Sequence, residues 1–274
     1  MFWDRLGVIT DEVSIDFLEA LDWISHNGLK HVEIRMVDGI NVMELDDDKM
    51  DRVFQEVQRR GLFISAISSP IFKCHLDPTR PTAIGDQFGN RAQTVEAHYD
   101  MLHKAIQMAK KWGTTYIRIF SFWREQEPEQ YLGEIITHLR QAAAMAMAEG
   151  IILLLENEHA CNGGYAKEVA CMVHEVNSTA LKVLWDPGNE ERWSSSFPEG
   201  YGYVRDLYVH FHLKHWYVAL GDEPLNSQMA ALKQDGYTGL YTIETHFAPK
   251  GGSKMDGTRI TLELLRERFK EEWA

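Results

Sequence analysis

Three cysteines in 274 residues, Cys74, Cys161 and Cys171, are too few and too irregularly spaced for a disulfide framework or a thiolate zinc site. They read as reduced thiols, and the compartment expected is the cytoplasm. Basic charge is also scarce. Lys and Arg total 28 against 41 Asp and Glu, a net charge of −13, with no basic stripe. Nucleic acid would have to bind against that field, so it is not expected as a partner. Long apolar runs are missing as well. None approaches a membrane span, and residues 151–155 suit one buried strand. The opening Met1-Phe2-Trp3-Asp4-Arg5 has no basic region leading into an apolar signal core.

The chain does have alternation. Strand-like runs at residues 6–10, 31–35, 63–67, 116–120, 151–156, 181–186, 207–212 and 240–244 are separated by segments of helical periodicity. The helices are expected at 17–26 behind a Ser14 cap, then at 47–60, 91–112 and 129–149. Further helices are expected at 165–176, 224–234 and 258–271, with 194–205 as loop holding at most a short helix. Gly28, Gly61, Gly113, Gly150 and Gly236 stop five of them. Eight βα units without a composition break predict one domain over residues 1–274, a closed (β/α)₈ TIM barrel. The rival is a doubly wound open sheet. It would need a Gly-rich phosphate loop after the first strand, where Thr10-Asp11-Glu12 stands instead.

Four consecutive runs end in Glu156, Asp186, His212 and Glu244. Parallel strands would bring three carboxylates and one imidazole to the same end of the barrel. Such a cluster needs protons or a cation. One divalent ion is expected, Mn²⁺ first, with Mg²⁺, Co²⁺ or Zn²⁺ as alternatives. A lone Glu at a strand end is ordinarily a solvated rim residue; four in succession are not. Strand alternation turns His210, His212 and Lys214 inward, along with Leu154, Glu156, Glu158, Thr242, Glu244 and His246. His210 reads as a lumen histidine, and Glu33 with Arg118 as a structural ion pair. Trp123, Trp193 and Trp216 fall in rim loops, as packing or as the wall of a small polar substrate. The Pro-rich segment 69–90, carrying Lys73, His75 and Asp86, is long enough to fold over the mouth.

These motifs resemble the xylose isomerase-like family of (β/α)₈ sugar phosphate isomerases and epimerases. Leu155-Glu156-Asn157-Glu158-His159, Asp186-Pro187-Gly188-Asn189, His210-Phe211-His212-Leu213-Lys214 and Thr242-Ile243-Glu244 follow its order, and Val32-Glu33-Ile34 matches its second strand. The resemblance implies a metal held by Glu156, Asp186, His212 and Glu244. It also implies proton exchange by Glu156 and Glu244 through an enediolate, and contacts from His159, Asn189 and Lys214 to substrate hydroxyls. Lys73, Arg118 and His246 complete the candidate substrate-binding set. The chain departs from the ketose 3-epimerases, which carry an arginine a few residues beyond the strand-seven histidine; here Trp216, Tyr217 and Val218 follow His212. Related endonuclease IV proteins need more histidines for three zincs. The expectation is an isomerase or epimerase of a small ketose or keto-polyol, partnered at most by copies of itself. A lyase on the same site and a non-catalytic sugar-binding barrel are the alternatives.

Overall fold

The computed structural model describes residues 2–191, 195–220 and 224–270. Trp193, Ser194 and Glu271 lie outside the described residues. The strands are β1 (Leu6–Ile9), β2 (His31–Ile34), β3 (Met36–Val37), β4 (Ile40–Asn41), β5 (Phe63–Ile67), β6 (Tyr116–Ile119), β7 (Ile152–Glu156), β8 (Leu181–Trp185), β9 (Tyr208–Leu213) and β10 (Leu240–Ile243). The long helices are α1 (Phe17–His26), α2 (Asp47–Arg59), α3 (Val95–Trp112), α4 (Leu132–Ala148), α5 (Ala166–Val176), α9 (Leu225–Gln234) and α10 (Lys254–Arg268). Short ones are α6 (Pro187–Glu191), α7 (Tyr201–Val204) and α8 (His215–Ala219).

Eight strands close a parallel barrel in the order β1-β10-β9-β8-β7-β6-β5-β2. The expected (β/α)₈ architecture is the one observed. Outward residues such as Ile117, Leu155 and Phe211 join the main core under the helices. Each such side chain contributes roughly 1.5–3 kcal/mol of burial. Inside, Ala66, Leu154 and Leu184 form a separate apolar layer. His31 and His210 also lie inside, with ring centroids 6.3 Å apart. Gly7 makes room for this packing, since a Cβ there would stand 2.3 Å from the His31 ring.

Helix ends differ from expectation where a better cap lies nearby. Asp16, not Ser14, caps α1 by accepting from Glu19 N at 3.0 Å. Thr94 starts α3 by accepting from Ala97 N, so residues 91–94 stay outside it. Ser253 and Asp256 form a capping box that begins α10 at Lys254, ahead of the expected residue 258. The β3–β4 hairpin was not anticipated. Its Asp38-Gly39 turn has φ of 50° and 77°, the paired left-handed geometry of a tight hairpin.

Residues 69–90 form neither helix nor strand, and His98 on α3 anchors their start. Its Nδ1 accepts from Phe72 N at 2.8 Å, and its Nε2 faces Ala92 O at 3.3 Å. Burial lowers the His98 pKa to about 4. Below the ordinary value near 6.5, the unfolded chain therefore takes up a proton that the folded chain refuses. Stability falls as pH drops from there toward 4. Between about pH 7 and about pH 4.5 this group should remove about 2–3 kcal/mol. Denaturant titrations should show that part of the slope disappearing in His98→Gln. An identical slope in the variant would contradict the assignment.

Candidate metal and active site

The four strand-end residues meet as expected. Glu156 closes β7, Asp186 and Glu244 directly follow β8 and β10, and His212 lies within β9. All four are buried, and each offers a ligand atom within 4.8 Å of the others. Reciprocal bonds fix the first two: Asn157 Nδ2 donates to Asp186 O and Asp186 N donates to Asn157 Oδ1, both at 2.8 Å. Gly188 lets the β9 end come close. A Cβ there would lie 2.9 Å from both Asp186 Oδ1 and Lys214 Cβ.

Basic groups interleave with the carboxylates. Lys214 Nζ lies 2.7 Å from Glu244 Oε2 and 2.9 Å from Asp186 Oδ2. Arg118 Nη1 lies 3.1 Å from Glu156 Oε2 and 3.6 Å from Glu244 Oε1. His212 Nδ1 faces Glu244 Oε2 at 3.2 Å and Glu156 Oε1 at 3.7 Å. Burial, followed by Glu244 and Glu156, pushes the Asp186 carboxyl up to about 6 against the pull of Lys214. Burial works the same way on Glu244, but Lys214, His246 and His212 overcome it and hold that carboxyl well below its usual range.

The donor set fits a divalent ion. It combines three carboxylates and an imidazole in a buried cluster, and Glu156 Oε2 and Asp186 Oδ2 accept no hydrogen bond. Both oxygens have ion-pair contacts to Arg118 and Lys214 instead.

Glu33 and Arg118 do not form the expected ion pair. Glu33 Oε1 binds His210 Nε2 at 2.6 Å and His212 Nε2 at 3.1 Å, while Arg118 turns to Glu156 and Glu244. Two imidazoles compete for Glu33 from the facing strand. Because Glu33 accepts at Nε2, His212 is oriented to present Nδ1 to the cluster. Partners of this kind typically contribute 10–100-fold to metal affinity. Glu33→Gln should weaken Mn²⁺ binding by about that factor in calorimetric titration. Unchanged affinity would remove Glu33 from this role.

The remaining predicted residues are spread around the mouth. Asn189 Nδ2 donates to Asn157 O at 2.8 Å and lies 3.4 Å from Glu156 Oε1, bracing the ligand. Lys73 is buried under the Phe88 and Phe120 rings, with Nζ 3.6 Å from Glu158 Oε2. His159 is half-exposed and pairs with Glu158 at 2.9 Å. His246 contacts Arg35 at 3.2 Å and Glu244 Oε1 at 3.4 Å. Arg35, Asp11, Glu12 and Phe88 were not expected at the site. Arg35 was within reach of the alternation that turned Glu33 inward, because residues two apart share a strand face.

The family profile described as xylose isomerase-like TIM barrel matches residues 21–268. The chain belongs to that family. Among curated proteins, none matches this chain in sequence. Solved structures of similar fold include 3-keto-D-glucoside 4-epimerase YcjR from E. coli, at 13% identity and a TM-score of 0.75, covering 96% of this chain and 99% of that one. D-allulose 3-epimerase from Methylomonas sp., in complex with D-allulose, has 17% identity and a TM-score of 0.74 over 97% of each chain. The probable 3-DHS dehydratase AsbF from Bacillus anthracis has 14% identity and a TM-score of 0.70, covering 95% of this chain and 98% of that one. At these identities the likeness to each structure is one of fold. No helix among the described residues is long and apolar enough to cross a membrane.

Proposed function

We propose that this xylose isomerase-like protein is a divalent-metal-dependent isomerase or epimerase of a small ketose or keto-polyol, with Glu156 and Glu244 as its acid and base. One observation carries the reading. The two buried carboxylates face each other across His212 Nδ1 and Arg118 Nη1, so a sugar carbon between them would have a proton acceptor on either side. An ion held by Glu156, Asp186, His212 and Glu244 would polarise a substrate carbonyl and acidify the adjoining C–H. One glutamate takes that proton on a carboxylate oxygen, and the other, entering as the carboxylic acid with a proton drawn from solvent, returns its own to the opposite face or to the neighbouring carbon. Arg118 and Lys214 hold the two carboxylates in place while their charge changes. Epimerase neighbours of the same fold support this chemistry.

A lyase is the second reading. Its support is Lys73, a buried amine beside Glu158 that would serve as the acid for a leaving hydroxyl, together with the dehydratase among the fold neighbours. A purely sugar-binding barrel needs no paired acid and base. Incubating Mn²⁺-loaded protein with a panel of ketoses and analysing products by mass and chromatography separates these readings. The expected product has the mass of its substrate. Loss of water would favour the lyase, and no metal-dependent product from any ketose would contradict an isomerase.

A further inference from the structure

Beside the metal-ligand cluster lies a second cavity, about 340 Å³, lined in part by Glu12, Arg35, Asp86, Phe88, His246 and Lys254. We propose that it is a subsite for an uncharged, hydroxylated substituent of the substrate, such as a second sugar ring, and that it turns phosphate away. This deepens the ketose reading and rests on it.

The cavity adjoins the reacting centre. Arg35 Nη1 donates to Glu244 Oε1 at 2.9 Å and lies 3.2 Å from His246 Nε2. A group occupying the cavity would therefore belong to a molecule that also reaches Glu244.

Its donors disfavour an anion. Arg35 is the guanidinium a phosphate would seek, but its donors are engaged. Nε bonds Asp11 at 3.1 Å, Nη2 bonds Asp11 at 2.7 Å and Glu12 as well, and Nη1 bonds Glu244 and His246. Lys254 Nζ donates to Asp11 O at 3.2 Å and lies 4.0 Å from Glu12. On the wall itself Glu12 and Asp86 balance Arg35 and Lys254, and Asp11 and Glu244 behind it occupy the Arg35 donors, so the wall carries no excess of positive charge. Phosphate sites use free guanidinium forks or unpaired backbone N–H groups. A phosphate here would meet Glu12, Asp86 and a guanidinium with no free donor, with the half-exposed Lys254 ammonium as its one cation to recruit.

The same wall suits a sugar. Carboxylate oxygens accept from hydroxyls, and Phe88 supplies an apolar surface for the C–H face of a ring. The backbone carries the second observation. Phe88 and His246, both bulky, hold φ of 49° and 47°. Such residues cost about 1–3 kcal/mol each in this region and collect at ligand sites. Both are tied down by this cavity's own residues: Phe88 N donates to Asp86 Oδ1 at 2.7 Å, and His246 N donates to Glu12 Oε2 at 2.8 Å.

A matched set of probes tests the subsite: D-fructose, isomaltulose (fructose carrying a glucosyl group on O6) and D-fructose 6-phosphate. Calorimetric titration into Mn²⁺-loaded protein should show isomaltulose binding at least about tenfold more tightly than the phosphate, and more tightly than D-fructose. Phe88→Ala should erase the advantage of isomaltulose over D-fructose. Phosphate binding as tight as isomaltulose, or isomaltulose binding no better than D-fructose, would overturn the subsite. Deuterium uptake from D₂O, measured on the same three sugars, separates the two claims. The expected binding order without exchange in any sugar would support the subsite and overturn the proposed reaction. Exchange that is fastest with the phosphate would overturn the subsite and keep the reaction.

Discussion

Glu156→Gln and Glu244→Gln should each reduce turnover on a responsive ketose by a factor on the order of 10³–10⁴, or roughly 4–5 kcal/mol of barrier. An amide keeps the shape of the carboxylate and one acceptor oxygen but neither accepts nor returns a proton at neutral pH. The loss should therefore fall in kcat, with KM changing much less. The two variants should differ in stability. Glu244 is contacted by Lys214, Arg35, Arg118 and His212, whereas Glu156 has Arg118 and His212 as its charged partners. Removing the charge at Glu244 leaves more cations uncompensated, so Glu244→Gln should lose more stability. Steady-state kinetics and thermal unfolding together check this. Full activity in either variant would remove that residue from proton transfer.

The second large effect concerns the ion. Asp186→Asn or His212→Ala removes one of four ligands and should weaken Mn²⁺ by more than the roughly 100-fold ceiling of an outer partner such as Glu33. Each change also removes one of two buried partners, leaving Lys214 with Glu244 or Glu33 with His210, so stability should fall as well. Elemental analysis of protein reconstituted with Mn²⁺ should give about one ion per chain for wild type and far less for the variants. Wild type that retains no ion, with both variants as active as the parent, would contradict the metal assignment.

The barrel was legible because period-2 strands alternate with period-3.6 helices along the whole chain. The ligand quartet was legible because four neighbouring strands carry their polar residue at the same end. What escaped depends on contacts between distant segments. Glu33 sits on β2, across the lumen from β9, and nothing local shows that His210 and His212 will reach it before Arg118 does. Asp11 and Glu12 stood out only as the absence of a phosphate loop after β1, although they fold onto Arg35 from β2's end. Phe88 lies in a segment with no periodicity, so its place over the Arg35 guanidinium, 4.3 Å from ring centre to charge, follows only from the closed barrel. Asn157 and Gly188 were legible as motif letters, but their tasks, locking Asp186 and admitting Lys214, appear only in the packed site.

The most direct test of the acid–base assignment is proton NMR of a responsive ketose in D₂O, comparing Mn²⁺-loaded and chelator-treated protein. The account predicts deuterium at the carbon beside the carbonyl with loaded protein, none with stripped protein, and none with Glu156→Gln or Glu244→Gln. Net conversion of the sugar without deuterium at any product carbon would contradict it.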